Sequence, residues 1–340
     1  MEVGRFAFII HPLDAKRDVA RKYPFLRPLP TAVIEGILNL MSPKLLSHIT
    51  GIQSLTGAQA EGWFIGCPMT PRMMLANEKR AVQSIIACGK LAERLGAGII
   101  GLGAYTAIVG DGGREVAESL SIAVTTGNSY TVATALDAVK AGAEMMDISL
   151  PDACAAVVGA TGSIGRACAT ILSQEVAELV LVGRHAEPLM QLRDELSADA
   201  RANLWVTTDV GRALENADIV ITVTSALNAV IEPEHIKSGA VVCDVARPRD
   251  VSPRVAAERD DVLVIEGGIV AVPGEVEFGF DFGFPPRTAY ACMAETIILA
   301  LEARDGKYES FTLGKDITVE QVQRISELAT KHGFKLAGFR

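Results

Sequence analysis

The sequence predicts an α/β protein in which helices cover a doubly wound parallel sheet. Short apolar runs rich in valine, isoleucine and alanine recur along the second half of the chain, as strands buried on both faces require. Stretches with apolar residues at helical spacing separate these runs. A glycine-rich turn joins the first such strand to the first such helix. This alternation of strand and helix is typical of βαβ units.

Residues 1–150 are predicted to form an N-terminal α/β substrate domain that ends in a connecting helix. Its predicted strands cover 6–10, 97–103 and 122–126, and its predicted helices cover 71–95 and 130–146. Gly96 follows the first helix as a stop signal, and Ser129 precedes the second as an N-cap. The mixture of strands and helices predicts a second α/β unit rather than an all-helical one.

Residues 151–275 are predicted to form a nucleotide-binding domain, because strand and helix alternate most regularly there. Its predicted strands cover 155–158, 179–182, 203–207, 219–223, 240–244 and 262–265, with helices at 164–174, 188–196 and 211–216. Residues 276–340 are predicted to supply two helices, 287–304 and 318–332, that return to the cleft and complete the site.

Length and charge exclude several classes of protein. A chain of 340 residues corresponds to about two domains at roughly 150 residues each. The 32 basic and 41 acidic residues give a net charge of −9, which lacks the basic footprint of a nucleic-acid-binding protein. Mean hydropathy is +0.28, yet no apolar run approaches the ~20 residues of a membrane-spanning helix.

The cysteines and histidines show no metal-binding spacing. The six cysteines form no C-x-x-C motif and no pair with histidine, so no metal site is expected. His11 and His48 are isolated in sequence and are expected to be structural. Residues 1–10 lack the pattern of a signal peptide. The chain is therefore expected to be a reduced, cytoplasmic protein.

The strongest motif is V-V-G-A-T-G-S-I-G at 157–165, between a predicted strand and a predicted helix. Its glycines permit a tight turn, close approach of a pyrophosphate, and packing of the helix on the strand. The N–H groups at the start of that helix would receive the phosphate charge. These features predict a Rossmann-like dinucleotide site whose contacts come from Gly159, Thr161, Gly162, Ser163, Ile164 and Gly165.

The next strand indicates which dinucleotide binds. It ends in Val182, Gly183 and Arg184, without the acidic residue that grips the ribose 2′-hydroxyl of NAD. An arginine at this position suits the 2′-phosphate of NADP. The predicted cofactor is therefore NADP(H), with Arg184 as the residue that selects it.

Cys292 is the candidate nucleophile among the six cysteines. It follows Pro285 and Pro286 and opens a helical pattern, so it is expected in the first turns of a helix. The positive end of that helix, with Arg287 nearby in sequence, would favour the thiolate. Burial in a core is the competing interpretation, because free cysteine is among the most buried residue types.

Four motifs together carry a family resemblance. They are G-L-G-A-Y-T at 101–106, T-T-G-N-S-Y-T at 125–131, G-A-T-G-S-I-G at 159–165 and R-T-A-Y-A-C-M-A-E at 287–295. In this order they resemble the cyanobacterial-type long-chain acyl-ACP reductases, over most of the chain. The resemblance implies reduction of an acyl thioester to a fatty aldehyde by NADPH, and it matches the family's cysteine nucleophile to Cys292.

The resemblance also suggests roles and partners. Thr126 and Asn128 are candidates to hold the oxyanion, and Glu295, three residues after Cys292, could handle protons or simply lie on the helix surface. The implied partners are thioesters of acyl carrier protein or coenzyme A, and an enzyme that consumes the aldehyde. Two basic regions could dock an acidic carrier: first Lys16–Arg27, which includes Arg17, Arg21 and Lys22, and second Arg247–Arg254, which includes Arg249.

Two other functions remain open from the sequence. The layout also resembles shikimate dehydrogenase-like proteins, which would exchange a hydroxyl and a ketone without a nucleophilic cysteine. A non-catalytic NADP(H)-sensing module would use the same glycine motif and leave Cys292 merely buried. The fold alone does not separate these functions.

Overall fold

The computed structural model describes residues 3–280 and 285–337, and all structural statements concern these residues. The chain divides into two compact units. The first comprises 1–127, 270–315 and 325–335, and the second comprises 128–269, 316–324 and 336–340. Both contain a six-stranded sheet, which confirms the predicted α/β class.

The elements alternate along the whole chain. The strands are β1 Gly4–Ile10, β2 Lys44–Gln53, β3 Gln59–Gly66, β4 Ile99–Gly101, β5 Ala123–Thr125, β6 Cys154–Val158, β7 Glu178–Val182, β8 Asn203–Thr207, β9 Ile219–Thr222, β10 Val241–Asp244, β11 Leu263–Glu266, β12 Ile269–Ala271, β13 Gly274–Glu277, β14 Thr288–Tyr290 and β15 Lys335–Leu336. The helices are α1 Ala15–Lys22, α2 Thr31–Leu38, α3 Pro71–Ala76, α4 Glu78–Leu95, α5 Arg114–Ser119, α6 Asn128–Met145, α7 Ser163–Leu172, α8 Ala186–Leu196, α9 Val210–Leu214, α10 Pro253–Glu258, α11 Ala291–Glu302 and α12 Val319–His332.

The second unit holds a parallel sheet in the order β11-β10-β9-β6-β7-β8. Counted from β6 as its first strand, this order is the doubly wound order of dinucleotide-binding folds. The strands are apolar on both faces because helices cover both: α6 and α7 pack side by side on one face, and α9 and α10 share the core on the other. The Rossmann-like sheet predicted from the sequence is therefore present.

The first unit holds a mixed sheet in the order β13-β2-β3-β1-β4-β5. Strands β3, β1, β4 and β5 are parallel, and β2 and β13 extend the sheet in antiparallel fashion. Ala7 and Ile9 of β1 belong to the core beneath α4. Phe6 and Phe8 alternate with them and face the other side, where α11 packs on β1 and β4.

Several predicted boundaries differ from the structure for local reasons. The predicted helix at 71–95 is two helices, because Asn77 adopts a non-helical conformation and caps α4 through the N–H of Arg80. The predicted helix at 287–304 begins at Ala291, because Thr288–Tyr290 form a strand beside β12. The long antiparallel pair β2 and β3 is absent from the sequence prediction.

Helix α11 lies close to its sheet because glycines face it. A Cβ added to Gly4 would lie 2.1 Å from the carbonyl oxygen of Ala300, and one added to Gly101 would lie 2.0 Å from Oγ1 of Thr296. A Cβ on Gly127 would lie 2.3 Å from Cα of Cys292. The three helix residues are spaced by four and share one face. We call these glycines, together with Gly103, the glycine track.

The glycine track predicts a specific loss of stability. The variant Gly101→Ala should lower the free energy of unfolding by about 1–3 kcal/mol, since its Cβ would overlap Thr296 and Phe8. The matched control is Gly36→Ala in α2, where a Cβ meets no atom within 4 Å. The free energy of unfolding of that variant should rise by about 0.5–1 kcal/mol. Urea unfolding compares the two, and equal effects would contradict the tight packing.

Candidate functional site

The glycine motif of the second unit forms a tight loop between β6 and α7. Gly159 has a φ of +90°, and a Cβ there would lie 2.7 Å from the carbonyl oxygen of Val223. A Cβ on Gly165 would lie 2.2 Å from the oxygen of Gly159. Both positions therefore require glycine for packing. Gly162 differs, because a Cβ there would meet only the oxygen of Gly159, at 3.4 Å.

The start of α7 is suited to an anion. Gly162 is its N-cap and offers no side chain to the first N–H groups, which leaves those donors for a ligand. Thr161 and Gly162 are exposed, and Ser163 and Ile164 are half-buried. These residues fit the pyrophosphate of a dinucleotide, since the loop leaves room at Gly162 and its helix presents unsatisfied donors.

Arg184 lies beside this loop. The N–H groups of Gly159 and Ala160 both donate to the carbonyl oxygen of Val182, at 2.9 and 3.0 Å, which ties the loop to the end of β7. Arg184 follows two residues later and is exposed. Arg184 thus follows the strand end at which the adenosine ribose binds in this fold. Asn128 belongs to the same unit, and its Nδ2 donates to Oγ of Ser163 at 3.3 Å.

Cys292 lies in the first unit, as the second residue of α11. The sequence therefore places it correctly in the first turn of a helix. A Cβ on Gly103 would lie 3.6 Å from the Cys292 sulfur, so the thiol faces the segment that follows β4. The side chain is half-buried. The guanidinium of Arg287 forms an ion pair with Glu275.

The other five cysteines are poorer candidates for a nucleophile, although hydrogen bonds to Cys88 and Ser84 lower the pKa of Cys67. Cys67, Cys88, Cys168 and Cys243 are buried. Burial raises the pKa of Cys168 to about 12, and that of half-buried Cys154 to about 11. A thiol with so high a pKa is protonated at neutral pH and unreactive. Of the six thiols, Cys292 alone combines partial exposure with a helix N-terminus.

Glu295 anchors the helix that carries Cys292. Its side chain is fully buried rather than exposed on the helix surface. Its Oε1 accepts hydrogen bonds from Oγ1 of Thr125 at 2.5 Å and from Oγ1 of Thr312 at 2.8 Å. Two hydroxyl donors offset part of the cost of burying a carboxylate. Glu295 thus fastens α11 to the end of β5, a role that helical spacing alone does not reveal.

Thr126 follows β5 and has an unsatisfied hydroxyl. Its N–H donates to the carbonyl oxygen of Thr312 at 2.9 Å. Its Oγ1 is buried and has no hydrogen-bond partner within the described part of the chain. A buried hydroxyl without a partner is costly and points to a group absent from the protein itself. Thr126, Cys292 and Glu295 therefore share the first unit, whereas Asn128 belongs to the nucleotide unit.

Metal-binding clusters and membrane-spanning helices are both absent from the described residues. No group of three or more His, Cys, Asp or Glu side chains there is arranged to hold a metal ion. No helix among those residues is long and apolar enough to cross a membrane. The sequence analysis missed Thr125, Thr312 and the glycine track, which depend on contacts between distant segments.

Comparison with known proteins gives matches to a family model and to individual proteins. Residues 140–266 match the family model of shikimate / quinate 5-dehydrogenases. The chain is 34% identical over 343 residues to the aminotransferase PigE of Serratia sp. (strain ATCC 39006), with 97% of this chain and 39% of that protein covered. It is 29% identical over 339 residues to the long-chain acyl-[acyl-carrier-protein] reductase of Synechococcus elongatus, with 95% of each covered.

A solved structure is similar at lower identity. The L-tryptophan dehydrogenase from Nostoc punctiforme has a TM-score of 0.45 and 11% identity, over 97% of this chain and 81% of that one. The chain thus spans 39% of the length of its Serratia relative and 95% of its Synechococcus relative. Reductases and dehydrogenases are among the relatives, and the second unit binds NAD(P), which the shape of its glycine loop fits.

Arg184 gives a test of cofactor choice. The variant Arg184→Ala should raise the Kd of NADPH about tenfold or more, because a charge-assisted hydrogen bond to the 2′-phosphate is lost. The Kd of NADH should change little. Arg201→Ala is the control. Arg201 is exposed and precedes β8, so it lies at the amino ends of the parallel strands, whereas Arg184 follows the carboxyl end of β7. Titration of cofactor fluorescence measures both constants, and an equal loss for both cofactors would contradict the assignment.

Proposed function

We propose that the protein reduces a long-chain acyl thioester to a fatty aldehyde with NADPH, through a thioester on Cys292. The observation that carries this proposal is the half-buried thiol of Cys292, held over Gly103 at the carboxyl edge of the parallel strands. Ligands of α/β sheets bind at this edge. The Synechococcus relative is a long-chain acyl-[acyl-carrier-protein] reductase, which supports the same substrate class.

The first chemical step uses residues of the first unit. The Cys292 sulfur attacks the thioester carbonyl carbon, a new C–S bond forms, and the carbon–sulfur bond to the carrier breaks. The carrier leaves as a thiol and takes the proton that Cys292 gives up. The buried Oγ1 of Thr126 is a candidate donor to the carbonyl oxygen while negative charge develops on it.

The second step releases the product. Bound NADPH supplies a hydride, and hence the two electrons of the reduction. Cys292 holds the acyl group as a thioester before this transfer, and its sulfur takes a proton from water when the carbon–sulfur bond breaks and the aldehyde departs. In the second unit, Arg184 favours NADPH over NADH through the 2′-phosphate, and the uncapped N-terminus of α7 holds the pyrophosphate.

The carrier is proposed to be acyl carrier protein or coenzyme A. An acidic carrier would need a local basic surface on a chain of net charge −9. Arg247 and Arg249 already share the carboxylate of Glu266, which reduces their attraction for an outside anion. Lys16 and Arg27 are exposed, and they form the better docking candidate. The side chains of Arg21 and Lys22 lie outside the described residues.

A second candidate function rests on the match of 140–266 to the shikimate / quinate 5-dehydrogenase family. Such an enzyme would exchange a hydroxyl and a ketone with the same cofactor, and it would not need a nucleophilic cysteine. Substitution of Cys292 therefore distinguishes the two functions.

Replacing Cys292 tests the proposed route. The variant Cys292→Ala should lower aldehyde formation at least about 10³-fold, because no covalent acyl-enzyme can form. Its Kd for NADPH should remain that of the wild type, since the cofactor residues lie in the second unit. The control Cys154→Ala removes the other half-buried thiol and should keep full activity. Wild-type turnover by Cys292→Ala would overturn the proposal.

Charge reversal tests carrier docking. The double variant Lys16→Glu, Arg27→Glu should raise the apparent KM for acyl-ACP about three- to tenfold at low salt, with a smaller effect at high salt. The KM for a small N-acetylcysteamine thioester should not change. Arg249→Glu serves as the comparison in the second basic cluster. A larger rise in KM for Arg249→Glu would instead place the docking site at the second cluster. An unchanged KM in both variants would exclude both clusters as docking sites.

A further inference from the structure

Asp250 is a fully buried carboxylate at the carboxyl edge of the second sheet. Its Oδ2 accepts hydrogen bonds from Oγ1 of Thr222 at 2.7 Å and from the N–H of Thr224 at 2.8 Å. Its Oδ1 accepts one from Oγ1 of Thr224 at 2.5 Å. Three donors offset part of the cost of burying a carboxylate. The side chain of Asp250 therefore fastens the end of β9 and the residue that lies two positions beyond it.

The backbone of Asp250 holds the other end of the same segment. Its carbonyl oxygen accepts hydrogen bonds from the N–H groups of Val230 and Ile231, at 2.8 and 3.0 Å. Ile231 also pairs with Val251 in an isolated parallel bridge. We call residues 223–230 the β9 loop. One residue thus binds this loop at both ends, by its side chain at the start and by its carbonyl at the end.

A second buried carboxylate, Asp244, holds Asp250 in this position. Asp244 is the last residue of β10. Its Oδ1 accepts from the N–H of Ala246 at 3.0 Å, and its Oδ2 accepts from the N–H of Val251 at 2.9 Å. These bonds turn the chain after β10 back towards its own strand. Because Val251 follows Asp250 directly and β9 adjoins β10, the turn brings the Asp250 carboxylate against the end of β9.

The β9 loop borders the cofactor site. A Cβ added to Gly159 of the glycine motif would lie 2.7 Å from the carbonyl oxygen of Val223 and 3.3 Å from the backbone nitrogen of Thr224. Strand β6 has β7 on one side and β9 on the other, and the strand order reverses between β6 and β9. A dinucleotide binds across this switch point. With its adenosine ribose at the end of β7, its nicotinamide half belongs to the side of β9.

We propose that Asp250 is a positioning residue for the nicotinamide half of NADP(H). It acts through the β9 loop, because its own carboxylate is fully buried. Holding both ends of the loop preorganises the wall on which this half of the cofactor rests, so less order has to be gained on binding. The inference goes beyond the proposed function, since it concerns the cofactor alone and does not depend on Cys292.

The test compares two ligands by isothermal titration calorimetry. One is NADPH, and the other is adenosine 2′,5′-bisphosphate, which has the adenosine half and no nicotinamide. The variant Asp250→Asn keeps the size of the side chain and replaces one acceptor oxygen by a donor. It should raise the Kd of NADPH about tenfold, because the β9 loop is no longer held before binding. The Kd of the bisphosphate should stay within about twofold of the wild-type value.

A second variant, Thr224→Val, makes a smaller change in the same contact. Valine keeps the N–H that donates to Asp250, but it lacks the hydroxyl that donates to Asp250 and accepts from the N–H of Ala226 at 3.1 Å. The Kd of NADPH should rise about three- to fivefold, again with no change for the bisphosphate. This variant decides the question if Asp250→Asn does not fold.

The matched control is Asp218→Asn, at the opposite end of β9. The Oδ2 of Asp218 also accepts a backbone N–H, that of Cys154 at 2.9 Å, and the variant should bind both ligands like the wild type. Arg184→Ala should weaken both ligands, since both carry the 2′-phosphate. Equal losses for the two ligands in the Asp250 and Thr224 variants would overturn the positioning role, and so would an unchanged Kd for NADPH.

Discussion

The close approach of α11 to the parallel strands of the first unit is the constraint on which the candidate site depends. Residues 292, 296 and 300 meet the sheet where Gly127, Gly101 and Gly4 provide no side chain. A helix this close to the strands places its first turn at their carboxyl edge, and its second residue is the proposed nucleophile. Packing that looks purely structural thus fixes where the thiol lies.

Polar side chains also hold α11 in place against the sheet. Glu295 buries its carboxylate between the hydroxyls of Thr125 and Thr312, so α11 is held in one register against β5. Among the residues described, the neighbouring hydroxyl of Thr126 has no hydrogen-bond partner, and neither has Nε2 of His11. The contrast separates two kinds of polar side chain at one edge: those that the fold satisfies, and those that fit a substrate.

The nucleotide unit was largely predictable from sequence, whereas the first unit was predictable only in part. Strands buried on both faces give unbroken apolar runs, and the glycines at 159 and 165 are required by backbone contacts within a few residues of the turn or on the adjacent strand. In the first unit, Asn77 breaks a continuous helical pattern, and β14 precedes Cys292 where a helix was expected. The burial of Glu295 depends on Thr312, which no local periodicity reveals.

The most direct test of the central claim is the intact mass of the protein after incubation with a long-chain acyl thioester in the absence of cofactor. If Cys292 is the nucleophile, the protein should gain the mass of one acyl group, and the added mass should map to the peptide that contains Cys292. Addition of NADPH should discharge it as one equivalent of aldehyde. Protein that binds NADPH yet gains no mass from acyl carrier protein, coenzyme A or N-acetylcysteamine thioesters would contradict the account.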